Sequence, residues 1–196
     1  HLDEDDAFKA LDCACKHKEH IYAVGLVSSE AGRPPELFSR VFNAARDEGF
    51  KAVAHAGEEG PAAYVETAVD DLQVNRVDHG NHAFDDPALI ARMVREQMPL
   101  TMCPLSNLRL KGISDLRQHP IKKALDAGLL ATVNSDDPSY FGGYVNENYK
   151  AVADAVGLDA GDVIKLAKNS VVASFVDTGR KQELLDKIES QVGRLT

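Results

Sequence analysis

Short apolar runs of strand length alternate along the chain with longer segments in which apolar residues return every three or four positions. The first of the longer segments, from about Asp5 to His17, puts Phe8, Leu11 and Cys15 on one helical face. It begins in the acidic stretch Asp3-Glu4-Asp5-Asp6, with no strand ahead of it. Ile21-Tyr22-Ala23-Val24-Gly25-Leu26-Val27 follows as a continuous apolar run, and the lack of alternation predicts a strand covered on both faces. Pro34-Pro35 then opens a helix carrying Leu37, Phe38, Val41, Phe42 and Ala45 toward Gly49, with proline in the first turn and glycine past the end.

The rhythm repeats. A strand at Lys51-Ala52-Val53-Ala54 precedes a helix from Pro61 to Leu72, and a strand at Val74-Asn75-Arg76-Val77 precedes one that Asp86-Pro87 starts and Ile90, Met93 and Val94 line. Leu100-Thr101-Met102 is the fourth strand; a helix from Pro120 to Ala127, closed by Gly128, leads to the fifth, Leu129 to Val133. Helices at about Val145 to Val156, Asp159 to Lys168 and Arg180 to Val192 complete the pattern. Five strands alternating with helices imply βαβ units and a parallel sheet. Polar residues gather at the strand C-termini, as in a (β/α)8 barrel or an open doubly wound sheet. No glycine-rich loop follows the first strand, which disfavours a nucleotide-binding unit of the Rossmann type. With 196 residues and no internal repeat or linker, residues 1–196 read as a single domain.

Charge and composition narrow the function. Lys and Arg number 22 against 31 Asp and Glu, a net charge of -9, and no stretch gathers the basic residues, so nucleic acid is not an expected partner. Three cysteines, Cys13, Cys15 and Cys103, form no disulfide framework and favour a reducing compartment, the cytoplasm. No apolar run approaches the roughly 20 residues that span a bilayer, so no membrane association is expected.

The strand ends carry the chemistry: His55 and Glu58 after the second, Asp78 and His79 after the third, Cys103-Pro104-Leu105-Ser106-Asn107 after the fourth, Asp136 and Asp137 after the fifth. Adjacent carboxylates at the end of a buried strand repel each other and lose hydration, and a metal ion or a hydrogen-bonding substrate compensates that cost. Histidine and carboxylate at converging strand ends form a zinc-type ligand set, and a neighbouring glutamate and histidine serve as proton carriers. Singly, each has a structural reading: a hydrogen-bonded strand-end histidine, or Glu58-Glu59 as a helix cap. Their recurrence at successive strand ends points to a site. Cys103 has no activating base indicated and reads as part of a turn, while His17, His20 and His119 read as surface or capping residues.

His55-Ala56-Gly57-Glu58, Asp78-His79-Gly80, Cys103-Pro104-Leu105-Ser106-Asn107 and Ser135-Asp136-Asp137-Pro138 resemble the successive motifs of the adenosine/adenine deaminase family. These are metal-dependent aminohydrolases on a (β/α)8 barrel. Cys-Pro-Leu-Ser-Asn together with the run from Asn134 to Tyr144 is more similar to the adenine deaminase branch. The resemblance implies that His55 and Asp136 ligate one zinc ion per site, that Glu58 protonates N1 of a purine, and that His79 orients and deprotonates the zinc-bound water. It further implies that Asp137 hydrogen-bonds N7 and that Ser28, with Ser29 and Glu30, lies against the purine. A partly buried Glu58 with a raised pKa suits proton donation, and a buried Asp137 needs a proton between itself and N7. Val27 stands where many relatives carry aspartate.

Family members begin with a strand ending in His-x-His, which supplies two further zinc ligands. The five strands here correspond to the last five of eight, so the chain is expected to be the C-terminal portion of a deaminase barrel. Its N-terminal segment would lie upstream or exist as a separate partner chain. The implied reaction is hydrolytic deamination of adenine to hypoxanthine and ammonia. Alternatives are deamination of adenosine or aminodeoxyfutalosine, or a noncatalytic remnant that binds a purine or a partner chain.

Overall fold

The computed structural model describes residues 2–194. The chain divides into two compact units, one ending at Leu100 and the other beginning at Thr101.

In the first unit, α1 (Glu4–Cys15) starts at Asp3, whose carboxylate accepts from the Asp6 amide at 3.1 Å. Glu4, Asp5 and Asp6 occupy the first turn, where negative charge meets the positive end of the helix dipole. β1 (Ala23–Leu26) is only half-covered, with Gly25 exposed, in contrast to the two-sided burial expected of an unbroken apolar run. The reason is position: β1 lies at the edge of the sheet, with β2 as its strand neighbour among the described residues, and Ala7, Ala10 and Ala14 of α1 line an open apolar pocket of about 270 Å³ with Ala23 and Gly25. The Pro35–Phe38 segment forms one 3-10 turn before α2 (Ser39–Asp47). Phe38, Val41, Phe42 and Ala45 are buried as expected, while the tighter turn leaves Leu37 exposed. Glu4 accepts from the Arg40 and Val41 amides at 3.0 and 3.1 Å, satisfying the open donors at the start of α2.

β2 (Lys51–Ala56) runs two residues further than its apolar run and takes His55 into the strand. It pairs in parallel with β1, Ala23 opposite Lys51 and Leu26 opposite Ala54. It pairs likewise with β3 (Arg76–His79), His55 opposite Asp78 and Ala56 opposite His79. Ala52, Ala54 and Ala56 are fully buried. Their small side chains leave room for α3 (Ala62–Asp70), which buries Val65 and Ala68, whereas Val53 and His55 point to the opposite face. α4 (Pro87–Glu96) starts at Asp86, which accepts from the Ala88 and Leu89 amides. β4 (Pro99–Met102) contains the boundary between the units.

In the second unit, the segment after Cys103 is a helix, α5 (Pro104–Arg109), where the sequence suggested a turn. Pro104 supplies the first helical φ, and Asn148 accepts from the Leu105 amide at 3.0 Å, a cap contributed by a helix more than forty positions later. α6 (Ile121–Ala127) ends at Gly128 with φ +85°, a conformation natural to glycine. β5 (Leu130–Val133) is buried throughout, and the Asn134 amide donates to the Met102 carbonyl at 2.9 Å, placing the ends of β4 and β5 side by side. α7 (Pro138–Phe141), α8 (Val145–Val156), α9 (Ala160–Ala173) and α10 (Thr178–Val192) follow. α9 runs past Lys168 because Asn169, a residue that alone favours a helix end, donates to the Ala131 carbonyl of β5 at 2.8 Å. His119, read from the sequence as a surface or capping residue, is 3 % exposed and caps the start of α6, its Nδ1 accepting from the Ile121 amide at 3.3 Å.

No helix among the described residues is long and apolar enough to cross a membrane.

Candidate active site

The histidines arrive on neighbouring strands. Because Ala56 is opposite His79 and His55 opposite Asp78, the His55 and His79 rings meet edge to face, centroids 4.6 Å apart and planes at 73°. The loops beyond them are tied together: the Gly80 amide donates to the Ala56 carbonyl at 3.1 Å and the His82 amide to the Gly57 carbonyl at 2.8 Å. Gly57 has φ +74°, and a Cβ there would stand 2.7 Å from Val65 Cγ2, so the turn that leads to Glu58 admits only glycine.

That turn directs the Glu58 carboxylate back between the two rings. Its Oε1 lies 3.4 Å from His79 Nδ1 and its Oε2 lies 3.8 Å from His55 Nδ1. The Glu58 side chain keeps 10 % of its exposure and that of His79 keeps 2 %. His79 also holds φ +66°, a left-handed conformation unfavourable for a histidine that persists only where the surroundings over-determine it. His55 Nδ1 is buried and, among the described residues, has no hydrogen-bond partner. His55, Glu58 and His79 each offer a ligand atom, all within 4.8 Å of one another. Two imidazoles, one with an unengaged buried nitrogen, and a carboxylate suit zinc.

Ser28 lies exposed just beyond β1 with φ +82°. Glu30, grouped with it from the sequence, is buried, its carboxylate turned to the backbone of the 57–60 loop.

In the second unit Asp136 follows β5 with φ +53° and is half-buried. Its Oδ2 accepts from the Ser106 hydroxyl at 2.7 Å. Asp137 stands exposed at the start of α7, where burial was expected. Ser106, fully buried on α5, is a residue that sequence reasoning did not single out, since its partner thirty positions away appears only on folding. Cys103 is buried and weakly bonded through Sγ to the Thr101 carbonyl at 3.6 Å, and none of the three cysteines is in a disulfide.

Comparison with known proteins gives these features a family. An adenine deaminase of Acinetobacter baylyi is 54% identical over 188 residues, 96% of this chain and 57% of that protein. The crystal structure of adenine deaminase from Arthrobacter aurescens matches with a TM-score of 0.95 at 42% identity, covering 98% of this chain and 59% of that one. A zinc-bound amidohydrolase from Burkholderia ambifaria matches with a TM-score of 0.89 at 29% identity, covering 99% of this chain and 56% of that one. The chain therefore spans about half the length of the curated relatives it matches. Its α/β fold is of the TIM-barrel type, and the described residues hold five of its strands. The family model for adenosine deaminase matches residues 3–191, and the chain belongs to the adenosine deaminase family.

Proposed function

We propose that the protein carrying this chain is a zinc-dependent adenine deaminase, converting adenine and water to hypoxanthine and ammonia. The observation that carries this reading is the Glu58 carboxylate lying 3.4 Å from His79 and 3.8 Å from His55 at the ends of two paired strands. The adenine deaminase relative at 54% identity points to the substrate.

In this reading His55, with its unengaged buried Nδ1, is a zinc ligand. Asp136 carries the same assignment from its motif, and two further histidine ligands are sought in the part of the protein outside this chain. Zinc, when bound, supplies the Lewis acidity that makes water nucleophilic near neutral pH. Glu58 holds the proton delivered to N1 as the C6 carbon is attacked, which keeps negative charge from building on the ring. His79, fixed by burial and by its contact with Glu58, takes the proton of the attacking water. The C6–N bond then breaks and ammonia leaves with a proton. Asp137 faces N7, and because a carboxylate and an unprotonated N7 are both acceptors, one proton lies between them. Ser28 lines the purine.

The chain is then the C-terminal portion of one barrel domain, working on a small purine in the cytoplasm, where free thiols persist. The test is ammonia release by the complete, zinc-saturated protein offered adenine, adenosine and aminodeoxyfutalosine. Adenine is expected to be the best substrate; no ammonia from any of the three would overturn the proposal, and a preference for another would reassign the substrate.

A further inference from the structure

Glu30 is 6 % exposed, a buried acid with no part in the reaction above. Its Oε2 accepts from the Gly57 and Gly60 amides, each at 2.9 Å, and its Oε1 accepts from the Glu58 amide at 3.0 Å. Three backbone donors of the loop that carries Glu58 thus converge on one carboxylate. The neighbouring Glu59 returns the contact, its Oε2 accepting from the Glu30 amide at 3.1 Å and from the Ser29 hydroxyl at 3.3 Å. The fit is tight, since a Cβ on Gly60 would stand 2.7 Å from Glu30 Oε2. A buried carboxylate is costly unless its oxygens meet donors, and hydrogen bonds to a charged acceptor are about twice as strong as neutral ones.

We propose that Glu30 is a positioning residue: it clamps the backbone of residues 57–60 and so holds the Glu58 carboxyl in register for proton transfer. The proposal rests on the reading of Glu58 as the proton carrier. Glutamine has the shape of glutamate but turns an NH2 group toward at least one of the three amides, so N–H faces N–H and the loop must shift. Aspartate keeps the charge and loses one methylene of reach.

The test compares Glu30→Gln, Glu30→Asp and Glu59→Ala in the complete zinc-loaded enzyme, reading kcat and KM for adenine, zinc per protein, and hydrogen exchange over residues 55–62. A misplacement of about 1 Å costs on the order of 10²-fold. The expected result for Glu30→Gln is therefore a kcat lower by about 10- to 100-fold, with KM within about threefold, zinc content unchanged and faster exchange at 57–60. Glu30→Asp should recover part of the loss, because its oxygens still only accept. A kcat per zinc-loaded enzyme unchanged in Glu30→Gln overturns the proposal, as does a loss that follows zinc content or folded fraction alone. Should the Glu30 variants fail to fold, the exposed Glu59→Ala decides: it loosens the same clamp and is expected to lower kcat severalfold at constant KM, and an unaltered kcat assigns Glu30 to stability alone. Glu58→Gln separates the two ideas. Full turnover by that variant removes the role of Glu58 itself, whereas an inactive Glu58→Gln beside a fully active Glu30→Gln removes only the clamp.

Discussion

The Ser106 hydroxyl donates to Asp136 Oδ2 at 2.7 Å. This length belongs to an O–H to carboxylate bond of the stronger, charge-assisted kind. Ser106 has no exposure, so water does not compete for the bond, and it orients the Asp136 carboxylate as it leaves β5.

With Asp136 as a zinc ligand, removing this bond frees the carboxylate to rotate. Ser106→Ala is expected to lower zinc affinity about 10- to 100-fold, the usual cost of losing an outer support of a metal ligand. Asp136→Asn should lower it further, because a ligating charge is lost. Competition of the complete protein with a chelator measures both. Equal affinity in Ser106→Ala and the parent would detach Ser106, or Asp136, from the metal.

Glu58→Gln removes the proposed proton donor while leaving the proposed ligands in place. Turnover of adenine should fall by about 10²- to 10⁴-fold, the span of general acid catalysis, with zinc per protein unchanged. Steady-state rates and elemental analysis of the same preparation check this. Loss of zinc would move Glu58 from proton carrier to ligand, and normal turnover would remove it from the reaction.

Gly80 combines φ +66° with a site where an added Cβ would run into the buried Leu100 Cδ2. Gly80→Ala should cost about 1–2 kcal/mol for the left-handed backbone and about 1–3 kcal/mol for crowding the Leu100 side chain. Denaturant midpoints at constant slope measure the total. A change below about 0.5 kcal/mol would mean that the loop after β3 relaxes freely.

His119 is buried, and burial lowers its pKa from the usual imidazole value of 6.5 to about 4. Its Nδ1 accepts from the Ile121 amide at 3.3 Å and its Nε2 lies 3.3 Å from Asn107 Oδ1, both consistent with a neutral ring. A folded-state pKa below the unfolded one means that the unfolded chain binds the extra proton first. The stability this histidine contributes is therefore complete above about pH 6.5 and is lost as the pH falls toward 4, on the order of 3 kcal/mol in all. Urea titrations from pH 7 to pH 4 should show that slope, and His119→Asn should flatten it. An equal slope in parent and variant would assign the acid sensitivity elsewhere.

Much of this molecule was legible before folding. The α8 limits follow from periodicity alone, and Gly128 and Asp86 mark helix ends through their own backbone and side-chain chemistry. The strand ends bearing His55, His79 and Asp136 were visible because polar residues interrupt short apolar runs. Where local reading failed, a distant partner had intervened: Asn148 makes a helix of the Pro104 segment, and Asn169 lets α9 continue. β1 is half-covered where full burial was expected, because it lies at the edge of the sheet.

The sequence by itself determined the alternation of strands and helices, the residue types at the strand ends and the family they resemble. These depend on period, turn chemistry and composition, which are local. Only the tertiary structure decided that Glu58 turns back between His55 and His79, that His79 and Asp136 adopt left-handed backbones, and that Glu30 closes on the loop amides. The meeting of His55 and His79 depends on strand register, and the closing of Glu30 on donors 27 to 30 positions away, distances along the chain that no local pattern encodes.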